Sequence, residues 1–211
     1  MSFDSLVELL ASELLAGGVV AMATDTVFGL VGSAANCDAL DAIAFIKGRD
    51  PSVSMPVMIA GLADLDSLVP SGVLEDAAVS SLFESLWPGP LTVVLPLLSG
   101  SICDRFFPSG TVGVRLPDDV RLREVVKKVG PVVATSANEH GKPTLRSGRE
   151  VLNGLARAGQ GRGLSVVLDE SSRSESASTI IEVVGKRFRV IREGAISADT
   201  IAKAFSIGGR G

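Results

Sequence analysis

The sequence predicts a mixed α/β fold: a twisted sheet of both strand directions, flanked by helices. Three observations carry this. Short runs rich in Val and Ile alternate with segments whose apolar residues recur at helical spacing. The alternation is irregular, which favours a mixed sheet over a doubly wound parallel one. Neither an internal repeat nor a composition shift marks a second unit, and 46% hydrophobic content over 211 residues is enough for one sizeable core.

The elements follow in order. Phe3, Leu6, Val7, Leu10 and Leu14 keep helical spacing, and Gly17-Gly18 ends that helix. Residues 19–23 form a short buried strand, with 24–30 as its exit loop. A second helix covers 37–46, with Leu40, Ile43 and Ile46 on one face. Residues 50–55 are a polar loop, 56–60 a strand and 61–68 a short helix or turn. The helix at 74–86 stops at Trp87-Pro88-Gly89-Pro90. Strands follow at 91–97 and 111–116, the second rich in β-branched residues. Residues 118–129 are helical, 131–135 a strand and 150–158 a helix. Late strands cover 164–168, 179–184 and 187–191, the last two as a hairpin turning at Gly185-Lys186. A helix at 196–204 closes the domain, placed at 1–205. The segment 170–176 is polar and Ser-rich and is expected to be a mobile loop; 206–211 is expected to be a flexible tail.

Composition narrows function. The formal charge is -4, aromatics are 4% and Tyr is absent, so no global field or stacking surface attracts nucleic acid. Lys127-Lys128 and scattered arginines form no basic tract. The N-terminus lacks the pattern of a signal peptide, and no apolar run reaches membrane-spanning length. The expectation is a soluble cytoplasmic protein, with no membrane partner and no strong direct nucleic-acid binding. Cys37 and Cys103 form no metal-ligand pattern and are read as two buried small hydrophobes in a reducing compartment.

Candidate chemistry lies beside the strands. Lys47 and Arg49 flank Gly48; a compact ammonium and a planar guanidinium suit one phosphate region from two angles. A solvated helix end is the alternative. Ser136 and Asn138 follow an apolar strand, a frequent ligand position, though a turn or cap uses the same residues. Thr24, Asp25 and Thr26 supply two hydroxyls and a carboxylate after the first strand. Ser178 opens a strand and Arg192 closes the last one. Arg115 lies among apolar neighbours and needs a partner, either a carboxylate or a ligand phosphate. The Walker A and dinucleotide fingerprints are absent. A Ser-His-Asp triad drawn through Ser136 and His140 lacks the elbow motif and puts its Ser and His in one loop. His140, the single His, is read as an exposed loop residue. Cys103 has no neighbouring base in sequence to activate it.

Taken together, Thr24-Asp25-Thr26-Val27-Phe28-Gly29-Leu30, Lys47-Gly48-Arg49, Trp87-Pro88-Gly89-Pro90-Leu91-Thr92, Thr111-Val112-Gly113-Val114-Arg115-Leu116-Pro117, Ala134-Thr135-Ser136-Ala137-Asn138, Ser178-Thr179-Ile180 and Ile191-Arg192-Glu193-Gly194 resemble the threonylcarbamoyl-AMP synthase, or YrdC-like, family. The resemblance spans 17–194. It implies the YrdC-like fold with a concave central cavity. It also implies synthesis of L-threonylcarbamoyladenylate from L-threonine, bicarbonate and ATP, with release of pyrophosphate. Magnesium (Mg2+) would accompany ATP, and tRNA threonylcarbamoyl transferase machinery would use the product. Carried over by residue, Lys47 and Arg49 would be catalytic and bind ATP, with Ser136, Asn138, Ser178 and Arg192; Thr26 and Thr111 would bind threonine. No protein metal ligand is assigned. The chain departs from the family at Ala23 and Asp50, where proline is common, and at Ala60, where many members carry His. Competing expectations are a paralogue that activates another amine or only binds nucleotide, and an RNA-binding module.

Overall fold

In a computed structural model, Ser2 opens the first helix by accepting the Ser5 amide on its hydroxyl at 3.2 Å. The structure describes all residues except Pro51, His140, 159–162, Arg173, Glu175, Lys186 and 209–211, and leaves aside the side chains of 155–158 and 207–208. Helix α1 spans Phe3–Leu15 and buries Val7, Leu10, Ala11 and Leu14. Strand β1 (Val19–Ala23) is buried throughout. Strand β2 (Phe28–Ser33) follows after four residues. Helix α2 (Cys37–Ile46) starts where Asn36 Oδ1 accepts the Ala39 amide at 3.0 Å. Strand β3 is only Val57–Met58, and two 3-10 turns, Leu62–Ser67 and Ser71–Val73, lead to helix α3 (Ala77–Leu86). That helix begins later than its apolar pattern because Asp76 caps it, accepting the Ala78 amide at 2.8 Å.

Strand β4 (Leu91–Pro96), a 3-10 turn at Asp104–Phe106 and strand β5 (Thr111–Arg115) come next. Helix α4 (Val120–Val129) is capped by Asp119 and followed by β6 (Val132–Ser136). The chain continues through α5 (Gly148–Ala158), β7 (Leu164–Val167), β8 (Thr179–Val184), β9 (Arg187–Arg192) and α6 (Ala198–Gly208).

Among the described residues the strands form one mixed sheet in the order β7-β1-β2-β6-β3-β5-β4-β8-β9. Neighbours are parallel at β7–β1, β3–β5 and β4–β8 and antiparallel elsewhere. Alternating side chains divide the apolar core between its two faces. Val19, Ala21, Leu30, Val57 and Val133 pack in a cluster with residues of α2, α3 and α6. Val20, Met22, Val31, Met58, Val132 and Ala134 pack in the other, against α1 and α4.

Several expectations need correction. The segment 24–30 is not all loop: Phe28 begins β2, and Gly29 pairs with Ser136 of β6. Cys37 and Cys103 are not two separate thiols. They form a disulfide across a 66-residue separation, with Cα atoms 5.5 Å apart, so they supply no basis for inferring a reducing compartment. The segment expected to be a mobile loop is anchored at its start. Glu170 pairs with Arg121, Ser171 bridges to Ser147, and the Ser172 amide donates to the Arg146 carbonyl at 2.7 Å. Residues 206–208, expected in the tail, continue α6; 209–211 lie outside the described residues. The β8–β9 hairpin forms as expected, although Lys186 of its turn lies outside the described residues.

Candidate active site

Lys47 and Arg49 owe their placement to how α2 stops. Lys47 is the C-cap, and Gly48 adopts φ 55°, a left-handed conformation that glycine takes without a Cβ clash. The Gly48 amide donates to Phe45 O and the Arg49 amide to Ala44 O, each at 3.0 Å, which closes the helix end in a Schellman arrangement. Lys47 is turned inward and is 3% exposed. Its ammonium donates to the carbonyls of Ser136 at 2.5 Å and Asn138 at 2.8 Å. Burial first, and the Arg49 charge second, lower its pKa to about 8. Arg49 holds the following loop by donating to the carbonyls of Val53 and Ser54, each at 2.7 Å. Burial lowers its pKa, and its Nε is buried with no partner among the described residues.

Ser136 ends β6 opposite Gly29, and the next amide, Ala137, donates to Phe28 O at 2.9 Å. The strand therefore delivers Ser136 and Asn138 to the Lys47 ammonium. Asn138 Nδ2 is used within its own loop, donating to the Glu139 and Lys142 carbonyls at 3.0 and 2.6 Å. Its Oδ1 is buried without a partner among the described residues, leaving an acceptor available to a donor or cation.

The 24–27 turn is stiffened from within. Thr24 donates its hydroxyl to Val27 O at 2.8 Å. Thr26 Oγ1, 4% exposed as a residue, lies 3.1 Å from Thr24 Oγ1 and accepts from Arg115 NH1 at 2.9 Å. Arg115 takes the carboxylate alternative left open by its sequence context: NH2 pairs with Asp25 Oδ2 at 2.5 Å, and Nε donates to Gly89 O at 2.9 Å. Burial lowers its pKa, while Asp25 pushes it back upward. On the far wall, Arg192 NH2 donates to Ser178 O at 2.7 Å, and Ser178 Oγ shares a hydrogen bond with Thr92 Oγ1 at 2.9 Å.

These groups line one cavity of about 360 Å3. Thr26, Lys47, Arg49, Ser136, Asn138, Ser178 and Arg192 all face it, together with Arg115, Thr24, Asp25 and Thr144. Thr111 does not line it. It begins β5, whereas Arg115 ends the strand, roughly 13 Å away at strand rise. The Thr111 hydroxyl bonds Ser109 Oγ at 2.7 Å instead. Proximity in sequence to Arg115 gave no indication of which strand end met the cavity. Ala60 also lies outside the lining, and His140 lies outside the described residues. The apolar side made by Met58, Leu122 and Ala134 was not anticipated; the only signal was their share in a core face. Among the described residues, no group of three His, Cys, Asp or Glu could hold a metal. A divalent cation would therefore depend on oxygens brought by a ligand.

A mixed sheet carrying a buried lysine, three arginines, hydroxyls and an open amide oxygen in one cavity defines an α/β protein whose cavity has the charge and donors that suit a small anion. Residues 12–194 match the Sua5/yciO/yrdC family model, described as telomere recombination, and the chain belongs to that family. The threonylcarbamoyl-AMP synthase of Laribacter hongkongensis is 35% identical over 176 residues, covering 76% of this chain and 90% of that protein. The Bacillus subtilis threonylcarbamoyl-AMP synthase is 31% identical over 185 residues, 87% of this chain. The crystal structure of Pyrococcus abyssi Sua5 complexed with L-threonine superposes with a TM-score of 0.81 at 27% identity, over 94% of this chain. The chain spans 51% of the Bacillus subtilis protein and 56% of the Pyrococcus abyssi chain.

Proposed function

We propose that this chain forms L-threonylcarbamoyladenylate from L-threonine, bicarbonate and ATP and releases pyrophosphate. The observation that carries the proposal is the convergence of Lys47, Arg49, Ser136, Asn138, Ser178 and Arg192 with Thr26 on one cavity. The relatives named threonylcarbamoyl-AMP synthase and the threonine complex of Pyrococcus abyssi Sua5 support the choice of substrates.

The chemistry requires no enzyme nucleophile. The threonine amine adds to CO2 with loss of a proton, or to bicarbonate with loss of water, to give a carbamate. A carbamate oxygen then attacks the α-phosphorus of ATP as the Pα–O bond to pyrophosphate breaks. The protein must align the two substrates, balance phosphate charge and exclude water. Lys47, Arg49 and Arg192 supply positive charge, while Ser136 and Ser178 supply hydroxyl contacts to the nucleotide. Thr26, held by Arg115, faces the amino acid. Asn138 Oδ1 fits a magnesium ion or its water, with the nucleotide providing the remaining oxygens. Bound magnesium would neutralise charge on the departing pyrophosphate. The product would pass in the cytoplasm to tRNA threonylcarbamoyl transferase machinery. Reducing thiols there would act on the Cys37–Cys103 bond.

Pyrophosphate release from ATP and bicarbonate, with and without L-threonine, tests the proposal when coupled to mass detection of the adenylate. Threonine-dependent release with the expected mass is the predicted result. Release that ignores threonine, or appears only with another amine, would overturn it. Lys47→Ala should lower turnover by roughly 100-fold while the fold remains intact.

A further inference from the structure

We infer that Glu170 is a positioning residue for the threonine side of the cavity, acting through the peptide of Ala23. This rests on the proposed assignment of Thr26 to the amino acid. Glu170 lies well away from Thr26 in sequence and does not line the cavity. Its Oε1 accepts the Ala23 amide at 2.7 Å and Arg121 NH2 at 2.6 Å. Its Oε2 accepts Arg121 NH1 at 2.9 Å, completing a two-pronged pair. Arg121 NH2 also donates to the Ala23 carbonyl at 3.2 Å. The pair thus grips both polar groups of the last residue of β1.

That grip matters because the cavity turn begins at the next residue. Two residues past Ala23, Asp25 Oδ2 is fixed by Arg115 and by the Asp118 amide at 2.9 Å. Arg121 and Asp118 stand three residues apart, so the start of α4 holds the turn at two points. Thr26 then has little freedom in where it presents its hydroxyl. The clamp is mostly shielded from water: the Arg121 side chain is 10% exposed and that of Glu170 is 26% exposed. Removing the carboxylate would leave a nearly buried guanidinium without its anion and the Ala23 amide without its acceptor. The turn would then loosen at its entrance, while Lys47, Arg49 and Asn138 are held by other elements.

The test compares full-length wild type, Glu170→Ala and Glu170→Gln by threonine-dependent pyrophosphate release and by amide hydrogen exchange over 23–27. Glu170→Ala should raise KM for L-threonine about tenfold and leave KM for ATP within about twofold. Glu170→Gln keeps an oxygen for the Ala23 amide but loses the charge opposite Arg121, so its effect should be intermediate. Exchange over 23–27 should quicken in the same order. Equal rises in both KM values, a fall in kcat alone, or unchanged exchange would overturn the inference. If Glu170→Ala fails to fold, the Gln variant decides by the same criteria. If wild type shows no threonine-dependent turnover, the proposed function falls and exchange alone decides whether the clamp positions the turn.

Discussion

Lys47 is the residue at which burial and charge meet most directly. Its pKa of about 8 lies below the ordinary 10.5, with desolvation the larger cause. The folded chain therefore binds this proton less tightly than the unfolded chain. The stability tied to Lys47 is fully present above pH 10.5 and is lost as pH falls through about 8. A phosphate beside the ammonium would reverse that cost by favouring the charged form. Nucleotide binding should then take up about 0.7 proton at pH 8.5 and little at pH 6.5, if the bound pKa returns near its ordinary value. Calorimetry in two buffers of different ionisation enthalpy measures this directly. Lys47→Arg, charged throughout, should abolish the buffer dependence at pH 8.5. Binding heats that match between buffers for wild type would remove Lys47 from the phosphate contact. The Lys-Gly-Arg pattern made this pair readable in sequence, because a glycine after an apolar helix marks where the helix stops. The inward turn of Lys47 was not readable, since its carbonyl partners lie 89 and 91 residues away.

At the scale of elements, Gly194 packs the chain leaving β9 against the start of β8, its amide donating to Thr179 Oγ1 at 2.9 Å. A Cβ at this position would stand 2.3 Å from the Ala177 carbonyl oxygen and 2.7 Å from Ser178 backbone atoms. Backbone, not a flexible side-chain tip, occupies that space, so Gly194→Ala must push the 177–178 segment away. Ser178 and its Arg192 partner form one wall of the cavity. KM for ATP should rise about tenfold, with destabilisation of about 1–3 kcal/mol from overpacking. Steady-state kinetics and thermal unfolding together check this, and an unchanged KM would show that the wall tolerates the shift. Elements with local stop signals were legible: α2 matches its expected bounds because Asn36 and Gly48 punctuate it. Strand β2 was missed because Gly29 and Gly32 dilute its apolar pattern and its pairing with β6 is non-local. The Arg121–Glu170 clamp and the Cys37–Cys103 bond were hidden for the same reason: neither has a local pattern.

Over the whole molecule, one sheet separates two apolar clusters and couples them through shared strands. Val57 belongs to one cluster and its neighbour Met58 to the other; Val133 and Ala134 divide in the same way. A strand cannot lose one face and keep its register, because pairing fixes both faces at once. The cavity draws on both sides: α2 carries Lys47 beyond one cluster, while Met58, Leu122 and Ala134 come from the other. Distant packing on the α1–α4 side should therefore register across the sheet. Trp87, the single tryptophan, reports on the opposite cluster, where it stacks on Phe83 with ring centroids 4.1 Å apart. Leu10 is fully buried between α1 and its neighbours in the second cluster. Leu10→Ala should destabilise the protein by about 2–5 kcal/mol through lost burial and the cavity it leaves. Urea unfolding followed by Trp87 fluorescence and by far-UV circular dichroism should shift to the same lower midpoint with both probes. A fluorescence midpoint that stays in place while the dichroism midpoint falls would mean that the two faces unfold separately, and that the sheet does not transmit packing on the α1–α4 side to the side that carries Lys47.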